Sequence, residues 1–90
     1  MPTATQIAPA EMTMHGTRCQ ALFSSALQPS DAPTADMVAD AITRTVQRLG
    51  LGGCAARMAQ EFGDHPDAAA ERMRWARRLA ARASARSQAA

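Results

Sequence analysis

The sequence predicts an all-α fold, a small bundle of about four short helices. Three observations lead there. Apolar residues recur at steps of three and four in four separate stretches, the period of a helix with one buried face. No stretch alternates apolar and polar residues as a half-buried strand does. Glycine and proline cluster between the periodic stretches, where they punctuate a chain.

Residues 1–16 are expected to form a flexible N-terminal arm. Pro2 and Pro9 stand among small polar residues there, with no period. The first helix is expected from Thr17, with Cys19, Leu22, Phe23, Ala26 and Leu27 as its apolar stripe. Residues 28–33, with Pro29 and Pro33, read as a loop. Thr34 then suits the cap of a second helix running to Leu49, with Val38, Ile42, Val46 and Leu49 on one face. Asp40 and Arg44 stand four apart with the acid first, the favourable order for a surface pair. Gly50, Gly52 and Gly53 are expected to end this helix.

A third helix is expected from Cys54 to Phe62, with Ala55, Met58, Ala59 and Phe62 facing inward and Gly63 closing it. The fourth should begin near Asp64–Asp67. Pro66 is tolerated in a first turn, and the two aspartates suit the positive end of the helix dipole. Ala69, Met73, Ala76, Leu79 and Ala80 form its stripe, to about Ala83. Residues 17–83 would thus be a single helical domain, and residues 84–90 a flexible C-terminal tail.

Ninety residues allow one domain at most. Of the hydrophobic 47%, twenty-two residues are alanine and only eighteen are Val, Ile, Leu, Phe, Met or Trp. So thin a set of bulky side chains leaves a lone chain marginal, and a dimer would add buried area. All ten basic residues are arginine and there is no tyrosine, the composition of a chain encoded in high-GC bacterial DNA. No run is long and apolar enough to span a membrane, and residues 1–12 lack the pattern of a secretory signal. Two cysteines do not make a disulfide scaffold, so the expected compartment is the cytoplasm.

The net charge of +2 hides an asymmetry. All eight acids lie in residues 1–71, beside four arginines. Residues 72–90 hold six arginines and no acid. A basic arm on an acidic body suits an anionic partner, either nucleic acid or an acidic protein surface; a merely solvated helix face is the plainer alternative.

Residues 55–80 carry Met58-Ala59-Gln60-Glu61-Phe62-Gly63 followed by Arg72-Met73-Arg74-Trp75-Ala76-Arg77. This resembles the helix-turn-helix of sigma-factor region four and related bacterial regulators. The resemblance implies that Ala59 lets two helices approach closely, that Gly63 permits a sharp turn, and that the C-terminal half is helix-turn-helix-like. It implies DNA binding or association with RNA polymerase. The residues that would then face the major groove are Asp67, Ala70, Glu71 and Arg74, and only Arg74 is a good base reader. Asp64 also departs from the apolar residue usual after the turn. The whole chain looks like short uncharacterised proteins of high-GC bacteria, a similarity that implies no activity.

Arg74, Arg78 and Arg82 share one face of the fourth helix with Arg77 on its border, a ridge suited to phosphates or to an acidic protein. Trp75 lies at the edge between ridge and apolar stripe, flanked by Arg72 and Arg78. It reads as a packing residue or, more sharply, an interface anchor. His15, Cys19, Cys54 and His65 could hold zinc only by converging from distant parts of the chain, with no CxxC or HxxxH pair to help. No catalytic constellation, phosphate loop or cofactor motif is present. The expected function is therefore non-enzymatic, without cofactor or small-molecule substrate: a regulatory protein acting through protein–protein contacts, as a homodimer or with another protein. The alternative is a DNA-binding or polymerase-associated regulator.

Overall fold

A computed structural model describes the backbone of residues 9–89 and the side chains of residues 15–84. Three helices fill it: α1 (Pro9–Ser24), α2 (Ala35–Asp64) and α3 (Pro66–Ala89). A single 3-10 turn, Pro29–Asp31, joins α1 to α2. No strand occurs among the described residues, and each helix packs against the other two.

The expected count of four helices becomes three because α2 takes in both the second and third. The chain does break where glycine was expected to break it, but at one residue. Gly50 has φ 73° and ψ 168°, a conformation open essentially to glycine alone. Leu51, Gly52 and Gly53 are already helical. The break divides a run of 30 residues that would otherwise extend ~45 Å.

Helix ends follow local chemistry. Thr34 Oγ1 accepts a hydrogen bond from the Met37 amide at 3.2 Å, the expected cap of α2. Asp31 Oδ2 accepts from the Gln28 amide at 2.8 Å and closes the 3-10 turn. Between α2 and α3 stands one residue, His65, whose amide donates to the Glu61 carbonyl at 2.7 Å and whose carbonyl accepts from Ala69 at 2.8 Å. The sharp turn expected at Gly63 is therefore not there: Gly63 is helical. Pro66, unable to donate an amide hydrogen, ends α2 and opens α3 at once.

The other differences lie at the ends of the chain. The first helix starts at Pro9 rather than Thr17, and α3 continues to Ala89 past the expected end at Ala83. Residues 1–8 of the expected arm and Ala90 of the expected tail lie outside the described residues.

The core joins Cys19, Leu22 and Phe23 of α1 to Val38 of α2 and to Ala69, Met73, Trp75, Ala76, Leu79, Ala80 and Ala83 of α3. Every residue expected on the fourth helix's stripe is buried. Ala26 is exposed and Leu27 half-buried, because α1 stops at Ser24. In α2 the expected face is only partly covered: Val38 is buried and Ile42 packs against the core. Thr45 is 2% exposed, whereas Ile42, Val46 and Leu49 are half-buried. After the break, Cys54 is buried and Met58 half-buried, while Ala59 and Phe62 face outward. Phe62 is 37% exposed and stacks on Phe23 with ring centres 5.9 Å apart. The helix resumes at Leu51, three residues before the expected Cys54. No helix among the described residues is long and apolar enough to cross a membrane.

Candidate functional site

Among the described residues, Arg72 has the densest set of side-chain hydrogen bonds. Its Nε donates to the Phe23 carbonyl at 2.8 Å. Its Nη2 donates to the carbonyls of Ser25 at 3.0 Å and Leu27 at 2.9 Å, with a longer contact to Leu22 at 3.4 Å. A helix leaves its last carbonyls without partners, and Arg72 of α3 supplies donors to those of α1. The guanidinium also lies 4.8 Å from the Trp75 ring centre and 6.0 Å from that of Phe23. Burial lowers its pKa from the ordinary value. The sequence placed Arg72 beside Trp75, and it is there. Its acceptors, 45 to 50 residues away in the chain, could not be read from it.

Four further arginines of α3 lie at the surface. Arg74, Arg77, Arg78 and Arg82 are exposed. Among the described residues the one ion pair is Asp40–Arg44 at 3.0 Å, so these four guanidiniums have no carboxylate partner there. Arg78 and Arg82 rim an open groove of about 1140 Å³ between α3 and the loop that leads into α2. Val38, Trp75 and Leu79 contribute its apolar surface, and Asp36 stands on it too. Trp75 is only 9% exposed, covered by its own chain and by Arg72, so what it offers a partner is an edge.

The start of α3 has the opposite sign. Asp64, Asp67 and Glu71 are all exposed. Of the residues a helix-turn-helix would turn to the major groove, Asp67, Glu71 and Arg74 are exposed and Ala70 is half-buried. Ala59, expected at a close helix crossing, is exposed.

The four soft metal ligands do not come together. His15 Nε2 and Cys19 Sγ lie 3.6 Å apart. Cys54 is buried under Ser24, whose Oγ donates to the Cys54 carbonyl at 3.3 Å, and His65 is exposed at the α2–α3 junction. No three His, Cys, Asp or Glu side chains gather as metal ligands among the described residues. Both cysteines are free thiols. Burial pushes each above its ordinary value of 9.0, against the charges of Arg77 and Arg18 at Cys19 and the Ser24 hydroxyl and Arg48 at Cys54. Compared with protein-family models, curated proteins and solved structures, the chain matches none.

Proposed function

We propose that this chain is a small non-enzymatic regulatory protein that works by protein–protein contact, through the arginine face of α3. The observation that supports this is the set of four exposed, unpartnered guanidiniums, Arg74, Arg77, Arg78 and Arg82, two of which rim a groove with Trp75 and Leu79. The chemistry suits an acidic segment with an apolar residue: carboxylates meet the arginines, and the apolar side chain meets the groove. Self-association belongs to the same reading, because Met37, Leu51 and Phe62 are each exposed on α2.

A DNA-binding or polymerase-associated regulator is the second reading. The shared face of Arg74, Arg78 and Arg82 favours it. Asp64, Asp67 and Glu71 oppose it through phosphate repulsion, since they stand at the helix end that would enter the major groove.

Trp75 is the only tryptophan, so its emission reports on the protein's groove directly. An acidic peptide with glutamates four apart should shift that emission, and the Arg74→Gln/Arg78→Gln/Arg82→Gln variant should abolish the shift. Mixed-sequence DNA at about 50 mM salt should bind weakly or not at all. Tight DNA binding, with a salt slope that falls by roughly 0.9 for each arginine–phosphate interaction removed in the variant, would replace the first reading with the second.

A further inference from the structure

The sequence grouped His15 and Cys19 with Cys54 and His65, and the fold separates those pairs. It brings the first pair to a different set of donors. A pocket of about 570 Å³ is lined by His15 and Cys19 of α1, Met58 of α2 and Met73 of α3, with Arg77 beside them. All three helices contribute, so the set assembles only in the folded chain. We propose that this pocket binds one soft monovalent metal ion, Cu(I), through the His15 imidazole, the Cys19 thiolate and the Met58 and Met73 thioethers.

Three features carry the assignment. The first is spacing. A metal held at ~2.3 Å from sulfur and ~2.0 Å from nitrogen at a tetrahedral angle separates the two donors by about 3.5 Å. Cys19 Sγ and His15 Nε2 already stand 3.6 Å apart. The second is the donor set. Thioether and thiolate sulfur select Cu(I), whereas zinc takes carboxylates, imidazoles and several thiolates. The pocket has one ionisable sulfur and no carboxylate, so one positive charge is neutralised and a divalent ion would be left in excess beside Arg77. The third is access. His15 is exposed, Met58 is half-buried, and Cys19 and Met73 are buried, which grades the donors from surface to core. Methionine has three rotatable bonds and a polarizable sulfur, so both side chains adapt as the ion enters.

The binding step is a proton exchange. The Cys19 S–H bond breaks, its proton goes to water, and a sulfur–copper bond forms. The ion enters and stays as Cu(I), so no electron is transferred. One proton is released for each ion bound.

The test is anaerobic competition for Cu(I) against bathocuproine disulfonate with the full chain. Wild type should withdraw one equivalent and develop a thiolate-to-Cu(I) charge-transfer band in the ultraviolet. Cys19→Ser should lose the band. His15→Gln, at an exposed position where folding is not at stake, should weaken binding at least ~10-fold, as ligand-shell losses do. The volume-conserving Met58→Leu/Met73→Leu variant should weaken it similarly. Cys54→Ser should bind as wild type does. Failure of the wild type to withdraw copper overturns the assignment. So does full affinity in the double methionine variant, or loss of the band in Cys54→Ser but not in Cys19→Ser. None of these outcomes depends on what the arginine face binds.

Discussion

α3 and the part of α2 that follows Gly50 are both rich in alanine and poor in bulky side chains, yet they settle differently. Every apolar residue expected inside α3 is buried. In residues 51–64 the buried face runs through Cys54 and Met58, and Phe62 is left at the rim. The difference teaches what fixes the phase of an alanine-rich helix. α3 has Met73, Trp75 and Leu79 toward the core and a row of arginines toward water, so only one rotation satisfies both. Residues 51–64 align Leu51, Met58 and Phe62 on one face, at steps of seven and four, but both ends of that row stay open, with Leu51 55% and Phe62 37% exposed.

The largest expected effect tests the two phenylalanines of the stacked pair. Phe23→Ala empties a buried site and should cost ~3–5 kcal/mol in urea denaturation. Phe62→Ala removes a ring that is partly in water already and should cost about 1–2 kcal/mol. Equal losses would mean that Phe62 is as deeply packed as Phe23 of α1.

Next comes the link between α3 and α1. Arg72→Met keeps much of the packing and removes the donors to the carbonyls of Phe23, Ser25 and Leu27. Hydrogen bonds from a charged group contribute ~1.5–3 kcal/mol, and solvent reaching the vacated carbonyls offsets part of that. The expected loss is about 2 kcal/mol, with faster amide exchange concentrated in the last turn of α1. A loss spread evenly over all three helices would instead assign Arg72 a packing role alone.

The smallest effects separate the glycines by sign. Gly50→Ala forces a side chain into a positive-φ conformation and should destabilise by ~1–3 kcal/mol. Gly52 is helical, and a Cβ there meets nothing within 4 Å. Gly52→Ala should therefore stabilise by ~0.5–1 kcal/mol. If Gly50→Ala were also stabilising, the break in α2 would not be a fixed feature of the folded chain.

The helical class and the stripe of α3 were legible because bulky residues and arginines occupy opposite faces there. The cap at Thr34 and the surface pair Asp40–Arg44 were legible because both are local. Thr45 was missed although it stands one heptad after Val38, because a hydroxyl is not counted as apolar even where its methyl group packs inward. Arg72 gave a similar signal. It shares the register of Ala69, Ala76 and Leu79, and a cation at a core register needs an acceptor that only the fold can supply. Of the candidate site, the exposed ridge Arg74, Arg78 and Arg82 followed from helical spacing alone. The grouping of His15 and Cys19 with Met58 and Met73 did not, since it depends on how three helices cross.

Arg72 also constrains the order of events. The carbonyls of Phe23, Ser25 and Leu27 find their donor 45 to 49 residues further along the chain. As the polypeptide is made from its amino terminus, that turn stays open to water until α3 has emerged and folded back. Closing so long a loop costs entropy that only the assembled core repays. The end of α1 is thus completed only once α3 has docked. Folding should proceed as one cooperative event rather than by growth from the amino-terminal end.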